Sequence, residues 1–208
     1  MGGDQVPKPT SADNRQAVDQ PGPGAIRAQQ APVGANPPQL PKPRIVDWPR
    51  KIDWKEFSPI DHQPPGIKES AQIRSEGQPD TNIRPQRENG RFLIPAITIR
   101  LVVLKDDTWV VNGKQSDALL NHEQGHFDVT GLIGRELGEA FLAIRAESVP
   151  KLQKEITRIL AHYWDQAYKL TKQYETETTN GTNSGEQQRW DKTLDDCIKN
   201  GTRLAPAP

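Results

Sequence analysis

Asn121-His122-Glu123-Gln124-Gly125-His126-Phe127-Asp128 sets two imidazoles four residues apart, with a carboxylate directly after the first. Residues four apart in a helix stand on one face about one turn from each other, so this spacing lets two ring nitrogens converge on a single zinc ion. Glu123 then flanks the ion without binding it. From there it can take a proton from water whose pKa the metal lowers from about 16 to near 7, which supplies hydroxide at neutral pH. If the stretch is helical, it is the working part of a metallopeptidase, with His122 and His126 as metal ligands and Glu123 as the base.

The flanking residues meet that condition. Ser116 is a fitting N-cap, and apolar side chains recur at Leu119, Leu120, Phe127, Ile133, Leu137, Phe141 and Ile144. A second helix is expected from Ser148, with Pro150 tolerated in its first turn. It carries Leu152, Ile156, Ile159, Tyr163, Leu170 and Tyr174 on one face and ends before Asn180-Gly181. A third, shorter helix can begin at Ser184, with Gln187 completing a capping box, and bury Trp190, Leu194, Cys197 and Ile198.

Upstream, Ile97, Ile99, Leu101 and Val103 alternate with Thr98, Arg100 and Val102, which predicts a half-buried strand. Asp106-Asp107 then predicts a turn into Thr108-Trp109-Val110-Val111, making a β-hairpin. The expected fold class is α+β and zincin-like: a small antiparallel sheet or hairpin packed on an antiparallel pair of long helices, plus a short C-terminal helix.

The chain has 208 residues and 33% hydrophobic composition, enough for one ordinary domain but too polar to be packed core throughout. Nine of the 19 prolines fall between Pro7 and Pro43 among Gly, Gln, Ala and Asn, so residues 1–44 read as a disordered leader that cannot bury enough surface to offset its ordering entropy. The domain is expected over 45–200, beginning where Ile45-Val46-Asp47-Trp48 brings in the first aromatic residue, and 201–208 is expected to be a flexible tail. Lys+Arg and Asp+Glu both number 27, and this balance argues against nucleic acid as a partner. The single cysteine, Cys197, excludes an internal disulfide framework and a cysteine-rich zinc site, leaving His, carboxylate and water as ligands. No apolar run reaches the roughly 18 residues of a membrane span. Met1–Val6 has neither the charged nor the apolar region of a signal peptide and lacks the Ser or Thr of a myristoylation signal, so a start residue standing in for a removed leader is the expectation.

A catalytic zinc usually takes three protein ligands and leaves the fourth position to water. Asp128 is close in sequence, but at about 100° per residue it points roughly 200° away from His126 and reads as a structural or supporting group. A tight link near residue 147 makes the two long helices an antiparallel pair, in which His122–His126 lie opposite about 168–173. The end of the second helix therefore falls beside the site. Glu175, Glu177 and Asn180 are the candidate third ligands, Glu175 the first choice, and Tyr174 can offer a phenol to an oxyanion. By the same mirror His162 sits two to three turns from the site and reads as a surface or packed residue, while His62 is a loop residue in a Pro-rich turn. Asn180-Gly181-Thr182 and Asn200-Gly201-Thr202 match the N-glycosylation pattern but read as turn residues.

The chain resembles a bacterial family of predicted secreted zinc-dependent proteases, domain of unknown function family 922. The matching words are Ile52-Asp53-Trp54-Lys55-Glu56-Phe57, Thr108-Trp109-Val110, Leu119-Leu120-Asn121 with the following HEQGHFD, and Tyr174-Glu175-Thr176-Glu177-Thr178-Thr179-Asn180-Gly181 with Gln187 and Trp190. They span about residues 45–198. The resemblance implies a zinc site on His122 and His126, Glu123 as catalytic base, and a secreted or periplasmic setting. The family's closing block usually has Asp where this chain has Glu175 and His where it has Asn180. Glu is an oxygen ligand with longer reach, whereas the neutral carbonyl of Asn is a poor zinc ligand.

Together these readings predict a zinc metallopeptidase acting on a peptide or protein substrate. Zinc would be held by His122, His126 and an oxygen from the end of the second helix, and an edge strand from 97–111 would align an extended substrate. Two alternatives come from other classes. One is a binding or scaffold domain that keeps the helix without the chemistry, and the other is a zinc hydrolase cleaving a non-peptide amide such as a cell-wall crosslink.

Overall fold

The computed structural model describes residues 40–80 and 83–208. The leader expected over 1–44 lies outside the described residues as far as 39, and Arg44 already begins the first strand. The elements, in chain order, are β1 Arg44–Val46, β2 Ser58–Ile60, β3 Ala71–Gln72, β4 Ser75–Pro79, β5 Gln86–Glu88, β6 Arg91–Leu93, β7 Thr98–Val103, β8 Trp109–Val111, α1 Asp117–Ala143, α2 Val149–Thr178 and α3 Ser184–Asn200. The fold is α+β, with small mixed sheets and three helices. No helix among the described residues is long and apolar enough to cross a membrane.

The expected hairpin over 97–111 does not form. Lys105–Asp107 makes one 3-10 turn, and the fully buried Thr108 accepts the Arg74 N–H on its hydroxyl at 3.0 Å while Leu104 N–H donates to Arg74 O at 2.8 Å. The chain therefore turns a corner instead of reversing, and β7 and β8 continue as the two arms of one bent ribbon. Both arms keep the same flanking segments. β4 and β3 run antiparallel along one side, with Ser75 opposite Val103 and Gln72 opposite Trp109. β1 and β2 run parallel along the other, with Ile45 opposite Ile99 and Pro59 opposite Val110. The sheets are thus mixed, not antiparallel. Since β7 and β8 are middle strands with both edges filled, residues 97–111 cannot hold a substrate by strand addition. A separate hairpin joins β5 to β6 through Asn89-Gly90, whose φ values of 48° and 79° suit a two-residue turn of the primed type.

Ser116 caps α1 as its sequence predicts, its hydroxyl accepting Leu119 N–H. One side of α1 lies against β1, β7 and β4 and the other against α2 and α3, so it is the central helix. Phe127, Val129, Leu132, Leu137, Phe141 and Leu142 fill its apolar contacts to Ile99 and Leu101 of the sheet and to Leu152, Ile159 and Tyr163 of α2. A helix covered on all sides must satisfy every polar group it carries. α1 buries His122, Glu123, Gln124, His126 and Glu136.

α2 starts at the expected Ser148 cap and ends, as expected, before Asn180. α3 differs: its N-cap is Asn183, which accepts Glu186 N–H, so the Ser184–Gln187 capping box is absent and Gln187 faces inward. The segment 201–208, expected to be a flexible tail, is tied down. The fully buried Glu136 carboxylate accepts Leu204 N–H at 2.5 Å and Ala205 N–H at 3.2 Å, Arg203 reaches the Tyr163 hydroxyl, and His162 Nε2 donates to Pro206 O at 3.2 Å. A buried carboxylate needs donors, and the backbone of the tail supplies them.

Candidate metal centre

His122 and His126 stand one turn apart on α1, their rings edge to face with centroids 4.8 Å apart. Glu175, from the last turn of α2, reaches both. Its Oε1 is 2.8 Å from His126 Nε2 and its Oε2 is 3.5 Å from His122 Nε2. The three donor groups lie within 4.8 Å of one another. Glu175 Oε2 is buried without a hydrogen-bond donor, and two imidazole nitrogens with one carboxylate are the ligand set of an open catalytic-type site. These residues fit a divalent metal ion.

Glu175 is the one of the three candidate ligands that reaches the histidines. Glu177 is held by Trp190 Nε1 at 2.7 Å, by Arg189 at 3.2 Å and by Gln173 at 2.8 Å, whereas Asn180 donates to Glu69 Oε1 at 2.8 Å. Glu175 thus lies at the expected end of α2, a few residues beyond the stretch 168–173 opposite the histidines.

Tyr174 does not do what its sequence position suggested. Its side chain is fully buried and its hydroxyl donates to His122 O at 2.9 Å, so the phenol is not free to meet an oxyanion. Burial pushes its pKa up, further from any acid role. The ring supports the site instead, stacked on His122 at 4.9 Å with planes 10° apart and edge-on to His126 at 4.8 Å. Gly125 follows from that packing, because a Cβ there would lie on the Tyr174 hydroxyl. Gly181 also packs closely against His122. The chain leaves α2 through Thr179, Asn180 and Gly181, all at positive φ, and a Cβ on Gly181 would come within 2.9 Å of His122 Cβ and Cγ.

Glu123 is 2% exposed, and its Oε2 accepts the N–H of Ile73, in the corner between β3 and β4, at 2.7 Å. Burial raises its pKa, against the opposing pull of His126, His122 and the Ile73 amide. A carboxyl shifted upward by desolvation is better matched to accepting a proton near neutral pH than an ordinary one. Burial also opposes ionisation of Glu175, but the two histidines, His122 beside Oε2 and His126 against Oε1, outweigh it and hold the carboxyl at about 2. For His122, burial disfavours the charged form, yet Glu175, Glu123 and Gln187 prevail and its pKa is raised.

Asp128 faces away from the histidines, as the helical geometry predicts. It accepts from Trp48 Nε1 at 2.9 Å and from Gln124 Nε2 at 3.1 Å, while Gln124 Oε1 accepts Ile52 N–H at 3.0 Å. The HEQGHFD block therefore builds two faces of one helix: His122, Glu123 and His126 make the site, and Gln124 and Asp128 bind the segment 48–52.

Gln187, read from the sequence as a capping-box residue and as part of the closing block, instead reaches His122, Tyr174 and Asp191 from α3, a contact with the site that sequence reasoning missed. A signal for it exists. Gln187 occupies the apolar stripe of α3 with Trp190, Leu194 and Cys197, all buried, and a polar residue in such a stripe must have a partner inside. No protein-family model, curated protein or solved structure matches the chain.

Proposed function

We propose that this protein is a zinc-dependent metallopeptidase of zincin-like architecture. The observation that carries the reading is the convergence of His122 and His126 from α1 with Glu175 from α2, beside the buried carboxylate of Glu123. His122 and His126 would hold the ion through Nε2 and Glu175 through its carboxylate. The metal's part is to polarise a scissile carbonyl and to lower the pKa of water. Glu123 takes the proton of the attacking water on its carboxylate and later delivers it to the leaving amine, a cycle for which its upward-shifted pKa is suited. The Ile73 amide holds that carboxylate in one orientation. Tyr174, stacked on the His122 ring, and Gly181, packed close to its Cβ and Cγ, restrict its rotation. The words shared with domain of unknown function family 922 support the same reading, including a secreted or periplasmic setting and a peptide or protein substrate.

One observation favours a non-catalytic binding domain: a carboxylate 2% exposed and bonded to a backbone amide is also how a structural glutamate is held. Metal content by mass spectrometry, with hydrolysis of a denatured protein mixture, separates the two. The proposal expects one zinc per chain, lost in His122→Ala and kept in Glu123→Ala, with hydrolysis lost in both. Failure of the wild type to take up zinc from excess metal sinks it, and zinc uptake without hydrolysis of peptide or amide substrates leaves the binding domain.

A further inference from the structure

The Gln187 amide is 2.7 Å from the Tyr174 hydroxyl and 2.8 Å from Asp191 Oδ1 through Nε2, and 3.1 Å from His122 Nδ1 through Oε1. Which end of an amide is nitrogen follows from its neighbours. A carboxylate oxygen can only accept, so the Gln187 atom facing Asp191 is the NH2. Both its protons are then used, one on Asp191 and one on the Tyr174 oxygen, whose own proton goes to His122 O. The remaining end, Oε1, is an acceptor, and the His122 nitrogen that faces it must carry the proton. Asp191 is fixed in turn by Asn121, whose Nδ2 donates to Oδ2 at 2.8 Å. The network leaves α1 at Asn121, crosses α3 through Asp191 and Gln187, and returns to α1 at the neighbouring His122.

We propose that Gln187, oriented by Asp191, is a positioning residue that fixes His122 in its Nδ1-protonated form and so turns the Nε2 lone pair toward His126 and Glu175. In this role α3 belongs to the metal centre although it supplies no ligand. The inference rests on the metal reading for its consequence but not for its geometry. An imidazole in the other tautomer would present N–H where a metal needs a lone pair.

The test uses the full 15N-labelled chain, metal-free at about pH 9, where imidazoles are neutral, together with zinc affinity measured by competition against a chromophoric chelator. Gln187→Met removes the acceptor at similar volume. Asp191→Asn leaves the His122 contact intact and frees the amide to turn over, and its partly exposed position lets the fold persist, which far-UV circular dichroism checks. Expected are the Nδ1–H tautomer of His122 in wild type, its loss or mixture in both variants, and zinc affinity lower by about 10–100-fold in each. An Nε2–H tautomer in wild type overturns the proposal, as does a tautomer unchanged in both variants, even if affinity falls. A wild type that takes up no zinc but whose tautomer follows both substitutions leaves the positioning standing and removes the metal reading instead.

Discussion

At Gly125 the helix has no room for a side chain, because the Tyr174 hydroxyl is pinned over it by His122 O and Gln187. An alanine in mid-helix ordinarily gains about 1 kcal/mol over glycine. Here overpacking costs about 1–3 kcal/mol and Tyr174 cannot move without breaking two buried hydrogen bonds. Gly125→Ala should therefore lower the unfolding free energy and weaken metal uptake, whereas Gly185→Ala, whose Cβ would meet only Asn183 Oδ1 at 3.7 Å, should not. Equal effects in urea titrations would refute the packing argument.

The charge pair makes a second prediction. The depressed carboxyl of Glu175 contributes stability that is present above its ordinary 4.5 and lost as pH falls through about 2. His122 is raised, so its contribution is present below 6.5 and lost as pH rises through its higher folded value. Metal-free protein should draw most from this pair between those ordinary values, and added zinc should reverse the alkaline decline, since metal takes the neutral imidazole. Melting temperatures measured from the folded value of Glu175 up past the raised value of His122, with chelator and with zinc, check it, and Glu175→Gln should flatten both arms. At this scale the helical spacing foretold where His122, Glu123 and His126 lie, the two rings one turn apart on α1 and the carboxylate buried beside them. Tyr174 was misread because the direction of its hydroxyl is decided by Gln187, a residue on another helix.

Among the elements, the three helices carry their own start signals in Ser116, Ser148 and the segment around Asn183, and their ends were legible to within a residue or two. The strands were not. Nothing local in 98–111 distinguishes a reversal at Asp106-Asp107 from a corner, because the decision lies with Arg74 and with parallel partners from 44–60, roughly fifty residues away. Asn89-Gly90, by contrast, is a strong hairpin signal that the sequence reading passed over. The tail was misjudged because its apolar content is small; what orders it is a buried acid on α1. Deleting residues 203–208 should leave Glu136 without its two amide donors, at a cost on the order of 1–3 kcal/mol. That loss should be smaller at acidic pH, where the carboxyl takes up a proton, and Glu136→Gln in the truncated chain should recover part of it. Unchanged thermal stability of the truncated chain would show that the tail adds nothing.

For the molecule as a whole, the contacts of Glu175 with His122 and His126, the proposed ligands, tie the first half of α1 to the last turn of α2, at the end of the helix pair farthest from the link at 144–148. α3 closes the same end through Gln187 and through the bond from Trp190 to Glu177. This end is held by the Glu175 carboxylate, whose Oε1 lies 2.8 Å from His126 Nε2 and whose buried Oε2 has no donor. A metal ion that binds only the assembled site should therefore act on global stability and not merely on local order. At a free zinc concentration about 100 times the Kd, linkage gives about 2.7 kcal/mol, which for a chain of this size corresponds to a rise of roughly 5–11 °C in melting temperature. The shift should vanish with chelator, be largely abolished in His126→Ala and Glu175→Gln, and persist in Glu123→Ala, whose carboxylate supports the site without binding the ion. The ligand variants also fix the interpretation. If zinc raises the melting temperature of Glu175→Gln as much as that of wild type, the ion binds elsewhere and the convergence of α1 and α2 is structural alone.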